Sequence, residues 1–60
     1  MFTVNAVASK LSGGWDVTIT HNSVSVRCDD VAIWDDSDVE GTYYEWLEMA
    51  EEGEEGYTIA

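Results

Sequence analysis

Three consecutive segments in the first half of the chain alternate apolar and polar residues. They are residues 2–9, 16–21 and 23–28. Alternation with a period of two is typical of antiparallel strands that bury one face. The pattern therefore predicts a small antiparallel sheet with one apolar side.

The connections between these segments predict the strand register. A two-residue turn at 22–23 and a four-residue loop at 11–14 bring the apolar residues of all three strands onto the same face. A slip of one residue would scatter them over both faces, so the agreement favours a meander. The pairs predicted across the turn are His21 with Val24, Ile19 with Val26 and Val17 with Cys28. The pairs predicted across the loop are Ala8 with Val17, Ala6 with Ile19 and Val4 with His21.

The second half of the chain contains one helical stripe. Its members fall at i, i+3, i+4 and i+7, and they are Tyr43, Trp46, Leu47 and Ala50. Capping boxes at Ser37 and at Thr42 compete for the start. Gly41 would cost the longer helix about 1 kcal/mol relative to Ala, so a start near Thr42 is preferred. Gly53 is the expected C-terminal stop.

Residues 1–60 are therefore expected to form a single α+β domain. It has a three- to four-stranded antiparallel meander with one C-terminal acidic helix packed on one face. Two segments are candidates for the fourth strand, 31–34 and 57–59. A core of this size rarely supplies more than roughly 3–5 kcal/mol of net stability. Cys28 is the single cysteine, so no internal disulfide is available, and a homodimer is one remaining means of stabilisation.

The chain shows no sign of secretion or membrane insertion. The N-terminus has neither a basic region nor a long apolar stretch. The longest apolar run, Val31–Trp34, is far shorter than the ~20 residues of a membrane span. A lone cysteine fits a reducing compartment, so a soluble cytoplasmic protein is expected.

Charge is distributed very unevenly along the chain. Residues 1–28 contain Lys10, Arg27 and Asp16, whereas residues 29–60 contain five Asp, seven Glu and no basic residue, which gives a net charge of −11. Charge that served solubility alone would mix both signs. One-sided charge instead acts on partners and on association rates. We expect basic partners, and no direct binding to nucleic acid or to anionic membranes.

The glutamates of the predicted helix lack the usual compensation. Glu45, Glu48 and Glu52 follow one exposed face, and none has Lys or Arg three or four residues away. Like-charge neighbours at those spacings cost about 0.2–0.5 kcal/mol each. Carboxylates in the last turn also face the negative end of the helix dipole. Unfavourable like-charge spacing and unfavourable dipole interactions in the same helix together indicate a functional surface.

The density of negative charge approaches that of DNA. Duplex DNA carries one charge per ~1.7 Å, so the twelve carboxylates after residue 28 equal about 20 Å of duplex. A chain of this length has a diameter around 27 Å. Such a surface offers carboxylate oxygens to the Arg and Lys residues of a nucleic-acid-binding cleft.

In size, charge and layout, the whole chain resembles the phage-encoded DNA-mimic inhibitors. That group includes anti-CRISPR proteins, anti-restriction proteins and inhibitors of uracil-DNA glycosylase. The resemblance implies a non-enzymatic inhibitor without cofactors. It would occupy the basic cleft of a CRISPR effector, a restriction enzyme or a repair enzyme, in the cytoplasm of a bacterial host. Because these inhibitors share no common fold, the resemblance carries no fold expectation.

The predicted partner-binding surface combines the acids with two aromatics outside the helical stripe. Aromatic side chains rimmed by acids serve as anchors and stack on guanidinium groups. The predicted residues are Asp35, Asp36, Asp38, Glu45, Glu48, Glu51, Glu52, Glu54, Glu55, Trp34 and Tyr44.

Two alternatives to nucleic-acid mimicry could also account for the acidic residues. One is a generic acidic interaction module that contacts partners through the aromatics and a sheet edge. The other is a salt-adapted small domain. Salt adaptation should acidify every exposed surface, whereas the polar strand positions here are mostly Thr, Ser and Asn.

Metal and catalytic chemistry have weaker support. Residues 36–41 resemble the opening of an EF-hand loop, but Leu47 stands where the bidentate Glu belongs. His21 is predicted on the apolar face, which favours a structural role. Cys28 lies beside Asp29 and Asp30, which would raise a thiol pKa, so it is a poor nucleophile. We therefore expect neither an enzyme nor a dedicated metal site, while weak divalent binding by Asp29, Asp30, Asp35 and Asp36 stays an open alternative.

Overall fold

The protein forms one antiparallel sheet with one helix on its apolar face, which confirms the α+β fold. The computed structural model describes residues 1–10 and 13–60. The strands follow one another in the order β1-β2-β3-β4. The elements are β1 (Thr3–Ala8), β2 (Trp15–His21), β3 (Val24–Val31), a 3₁₀ turn (Asp36–Asp38), helix α1 (Val39–Glu51) and β4 (Tyr57–Ile59). Within the described residues, no helix has the length and apolar character needed to cross a membrane.

The predicted β2–β3 hairpin is confirmed. His21 pairs with Val24 across a two-residue turn. Asn22 and Ser23 in that turn have φ of 50° and 67°. Positive φ at both central residues matches the right-handed twist of the flanking strands, and Asn tolerates it better than most residues.

The predicted β1–β2 register is wrong by two residues. Ala6 pairs with Val17 rather than Ile19, and Ala8 pairs with Trp15. A shift of two keeps every side chain on its predicted face, so the apolar face survives. The connection is longer because Ser9 N donates to Gly14 O at 2.8 Å, which closes a wider loop. Residues 11 and 12 of the predicted loop lie outside the described residues.

Strand β3 contains a bulge and ends at Val31, three residues after its predicted end at Cys28. Trp15 and Val17 of β2 pair with Val31 and Cys28, so β3 has one extra residue at this point. Asp30 has a φ of 64°, and its N–H donates to Asp16 Oδ1 at 3.0 Å. Because β3 runs on to Val31, segment 31–34 is not the fourth strand.

The fourth strand is the C-terminal segment Tyr57–Ile59. Tyr57 pairs with Cys28 and Ile59 pairs with Val26 on β3. Helix α1 packs mainly against β4 and β3. The Trp46 and Tyr57 rings meet edge-on, with centroids 6.4 Å apart. The buried core comprises Val17, Ile19, Val26, Cys28, Tyr43 and Trp46.

The predicted helical stripe is confirmed, but the predicted start near Thr42 is wrong. Helix α1 begins at Val39, and Asp38 caps it by accepting from Gly41 N at 3.1 Å. Thr42 Oγ1 donates to the Asp38 carbonyl at 2.8 Å, so Thr42 lies inside the first turn. A Cβ at Gly41 would lie 2.5 Å from Asp38 Oδ2. The glycine that weakens the helix is thus the residue that admits its cap.

Gly53 ends the helix as predicted. It has a φ of 82°, which favours glycine. Gly53 N donates to Ala50 O at 3.1 Å, and Glu54 N donates to Met49 O at 3.0 Å. These two bonds form a Schellman motif, which turns the chain toward β4.

We predict that the stabilities of Gly41 and Asp38 variants are coupled. Gly41→Ala should change the free energy of unfolding by less than about 0.5 kcal/mol, because better helix propensity is offset by displacement of the cap. In an Asp38→Ala background, the same substitution should stabilise by about 1 kcal/mol. Urea denaturation of the four proteins measures both effects. If Gly41→Ala has the same effect in both backgrounds, a Cβ at position 41 does not disturb the Asp38 cap, which would contradict the prediction.

Candidate functional site

The predicted acids all lie exposed along one continuous stretch of chain. The 3₁₀ turn and its cap carry Asp35, Asp36 and Asp38. Helix α1 carries Glu45, Glu48 and Glu51, with Glu52 at its C-cap, and the turn before β4 carries Glu54 and Glu55. We call these nine residues the acidic surface.

The helix directs part of the acidic surface away from the sheet. Tyr43 and Trp46 are buried beneath α1. At about 100° per residue, Glu45, Glu48 and Glu52 fall on the opposite side. We call these three residues the outer face, and each of them is exposed.

Arg27 forms its ion pairs outside the acidic surface, with Asp16 and Asp29. Among the described residues, both ion pairs belong to Arg27. Its Nε lies 2.6 Å from Asp29 Oδ1, and its Nη2 lies 3.6 Å from Asp16 Oδ2. The hydrogen bond and the charge of Asp29 raise the pKa of the guanidinium further above its usual range. Within the described part of the chain, no member of the acidic surface has a basic partner.

Two members of the acidic surface stabilise local structure. Asp35 Oδ1 accepts from Ser37 N at 2.9 Å, and Asp38 caps α1. Carboxylates here also interact favourably with the positive end of the helix dipole. Sequence reasoning assigned these residues to partner binding and missed their capping role. The preference of Asp for N-cap positions is the signal that could have revealed it.

The glutamates at the other end of α1 have no comparable role. The last turn contains no basic residue. Glu51 and Glu52 therefore face the negative end of the dipole without compensation. Because Asp35 and Asp38 already serve the fold, the outer face is the part of the acidic surface with the clearest functional claim.

The two predicted aromatics differ in accessibility. Tyr44 is 50% exposed, although its ring lies 5.1 Å from that of Tyr43 and 6.2 Å from that of Phe2. Trp34 is half-buried, and its ring lies 5.7 Å from that of Trp46. Tyr44 is therefore the more available anchor, and partner contact by Trp34 stays a prediction.

Sequence reasoning missed an exposed apolar residue that borders the acidic surface. Ile33 is 84% exposed and precedes Trp34 and Asp35, at the edge of the acidic surface. Interpreting segment 31–34 as a strand or lead-in gave it no separate role. An isoleucine in an apolar run that leads into acidic residues was the available signal.

His21 belongs to an aromatic cluster. Its ring stacks on Phe2 with centroids 4.0 Å apart and meets the edge of Tyr43 at 5.6 Å. Its Nδ1 lies 3.1 Å from the Met1 carbonyl, and Asn22 Nδ2 lies 3.2 Å from Nε2. Both ring nitrogens thus have partners, which supports the structural role.

Cys28 is buried in the core, as its position on the apolar face predicts. Burial is the main reason that its thiol pKa is raised, and nearby Asp29 adds to the effect. The pKa of the neighbouring Tyr57 hydroxyl is also raised, again mainly by burial.

We predict that Cys28 makes the protein less stable at alkaline pH. The folded protein keeps the thiol proton at pH values where the unfolded chain, with an ordinary pKa near 9.0, releases it. The resulting stabilisation is present below that pH and is lost as the pH rises through the raised folded value. The Tm of a Cys28→Ala variant should therefore fall less steeply over the alkaline range, although its Tm is lower throughout. Parallel Tm–pH curves would contradict this.

The described residues contain no group of three or more His, Cys, Asp or Glu side chains arranged to hold a metal ion. The segment that resembles an EF-hand opening forms the 3₁₀ turn and the first turn of α1 instead. The Asp38 carboxylate there accepts from Gly41 N, as a helix cap.

Comparison with known proteins adds no relative. No protein-family model, no curated protein and no solved structure matches the chain.

We predict that removing charge from the outer face stabilises the protein. Glu48→Gln with Glu52→Gln should raise the free energy of unfolding by about 0.5–1 kcal/mol, because like-charge and dipole repulsion are relieved. Glu40→Gln is the control, since its carboxylate lies in the first turn and should be favourable there. Loss of the Glu40 charge should lower the free energy of unfolding by about 0.3 kcal/mol. Urea denaturation at low salt distinguishes the two signs, and stabilisation by both variants would point to net charge alone.

Proposed function

We propose that this protein is a non-enzymatic inhibitor that mimics the charge of nucleic acid. Its target would be the basic cleft of a nucleic-acid-binding complex, such as a CRISPR effector, a restriction enzyme or a repair enzyme. One observation carries the proposal. The outer-face carboxylates are exposed and have no basic partner in the described part of the chain, whereas Arg27 is paired on the sheet.

The spacing of the outer face suits this role. Glu48 and Glu52 are separated by about 6 Å of helical rise, and Glu45 precedes Glu48 by about 4.5 Å. Carboxylate oxygens accept bidentate hydrogen bonds from Arg, as phosphates do. The longest dimension of the molecule is 29 Å, and the nine carboxylates of the acidic surface equal the charge of about 15 Å of duplex.

The fold supports the proposal by presenting the acids on a firmly held element. Helix α1 is capped by Asp38 at one end and by the Schellman motif at Gly53 at the other. Tyr43 and Trp46 anchor it to the sheet. Because the helix backbone is already ordered, binding costs conformational entropy only in the glutamate side chains, and the charges steer a basic partner from a distance.

Apolar docking is the second candidate function. The exposed Ile33 and Tyr44 favour a generic interaction module that uses the acids only for solubility. The two functions respond differently to ionic strength. Binding by charge mimicry weakens steeply with salt, whereas apolar docking does not.

The first test is capture of a target from bacterial lysate with the tagged protein, at low and at high salt. The proposal predicts recovery of a nucleic-acid-binding complex at low salt, with release by competing DNA or RNA. Retention against both salt and competitor would contradict charge mimicry and favour the apolar module.

We predict that charge reversal on the outer face abolishes binding to that target. Glu45→Lys, Glu48→Lys and Glu52→Lys together would place repulsive charges against a basic cleft, which should weaken binding by at least about 100-fold. Single reversals should have modest effects. Titration calorimetry with the purified target measures the affinity, and circular dichroism verifies folding. Unchanged affinity of the folded triple variant would refute the proposal.

A matched pair of variants separates local from total charge. Glu48→Gln with Glu52→Gln and Thr58→Lys with Ala60→Lys each bring the net charge from −11 to −9. The first pair alters the outer face. The second pair alters exposed positions at the β4 end, where Thr58 lies across from Arg27. Mimicry by the outer face requires the first pair to weaken binding much more than the second.

A further inference from the structure

Strand β1 forms a long open edge of the sheet. Among the described residues, it pairs only with β2, and its other side has no partner strand. It spans six residues, Thr3–Ala8, and contains no charged residue and no proline, which are the usual means of protecting an edge. The opposite edge strand, β4, has three residues. An extended segment of a partner can therefore add to the sheet at β1.

The ladder between β1 and β2 determines which backbone groups face this edge. Ser9 N donates to Gly14 O at 2.8 Å, which continues the ladder by one pair beyond the end of β1. Hydrogen-bonded and non-hydrogen-bonded pairs alternate along antiparallel strands. Alternation from Ser9 therefore directs the N–H and C=O groups of Val4, Ala6 and Ala8 to the open edge. The side chains of Val4 and Ala6 pack against the core, on the helix side of the sheet.

One flank of α1 lies beside the start of this edge. The ring of Phe2, which precedes β1, lies 5.3 Å from that of Tyr43 and 6.2 Å from that of Tyr44. Tyr44 is 50% exposed, so part of its ring is available on the β1 side of the helix. Glu40 and Glu48 lie one turn before and one turn after Tyr44 on the same flank, and both are exposed. The open edge is thus bordered on the helix side by an aromatic ring and two carboxylates.

Charge selects the occupant of this edge. The chain has a net charge of −11, which repels a second copy and attracts a basic segment. Residues directly opposite one another in an antiparallel pair point to the same side of the sheet. Partner residues opposite Val4 and Ala6 therefore point toward the helix flank, where Lys or Arg can pair with the glutamates and stack on Tyr44. The residues between them point to the other side, where Val7 is 55% exposed.

We propose that β1 binds an extended basic segment of a partner protein as an additional antiparallel strand. The segment has Lys or Arg at alternate positions, with β-branched residues between them. Main-chain hydrogen bonds to β1 supply affinity, and the alternate basic side chains supply specificity. The proposal does not rest on the proposed inhibition, because it requires no nucleic-acid-binding cleft, and failure of either leaves the other intact.

Calorimetric titration of the unaltered protein with a blocked peptide of four Arg-Thr repeats, at low ionic strength, tests the proposal. N-methylation of the arginine amides should weaken binding by at least about tenfold, because those N–H groups donate to β1. N-methylation of the threonine amides is the control with the same charge. It should change the affinity by less than about threefold, because those N–H groups point away from β1. Equal weakening by the two patterns, a larger effect of threonine methylation, or no binding of the unmodified peptide overturns the proposal.

A proline on the open edge provides a second measurement. Proline at position 6 removes an N–H that faces the edge, spares the ladder to β2 and keeps the net charge at −11. Ala6→Pro should therefore weaken binding of the unmodified peptide by at least about tenfold. Circular dichroism verifies folding, and unchanged affinity of the folded variant overturns the proposal. If the variant does not fold, the methylated peptides decide, since they use the unaltered protein.

Two pairs of substitutions separate the helix flank from total charge. Glu40→Gln with Glu48→Gln and Glu52→Gln with Glu55→Gln each bring the net charge from −11 to −9. The first pair borders β1, whereas the second lies at the C-cap of α1 and in the turn before β4. The first pair should weaken binding of the Arg-Thr peptide more than the second. Equal effects of the two pairs would show attraction by net charge alone and overturn the proposal.

Discussion

The packing of Tyr43 and Trp46 against the sheet is the interaction on which the rest of the structure depends. Helix α1 could not persist by its local interactions alone, because its glutamates repel one another and the last ones oppose its dipole. Burying two aromatic rings recovers far more free energy than those repulsions remove. Packing of α1 against the sheet thus keeps the helix folded despite acidic residues that would destabilise the same helix in isolation.

Charges in this small domain fall into three groups with different physical roles. Asp16 and Asp29 neutralise Arg27, and Asp16 also holds the bulge by accepting from Asp30 N. Capping carboxylates, among them that of Asp38, organise the start of the helix. The outer-face glutamates serve neither purpose, and the proposed function assigns them to contact with a basic partner.

Sequence patterns were informative where one physical effect dominated. Alternation and a turn tolerant of positive φ determined the β2–β3 register, and the helical stripe identified Tyr43 and Trp46. The β1–β2 register failed because nothing in the pattern reveals that Ser9 N donates to Gly14 O, which closes a wider loop than the predicted four residues. The helix start failed because Gly41 was weighed by propensity, without the space it leaves for a cap. Exposure of the acids was predictable from charge, but their capping contacts depend on backbone geometry that charge does not encode.

The late position of β4 in the chain has a consequence for the order of folding. The β1–β2–β3 meander closes through short connections, whereas pairing of Val26 with Ile59 joins distant parts of the chain. Local contacts form before distant ones, since the loop entropy of a distant contact is larger. We therefore expect the contacts between the helix and β4 to form late, together with the pairing of β4 and β3. Because these late contacts bring acidic residues together, we expect folding to be slower at low ionic strength, where their mutual repulsion is least screened.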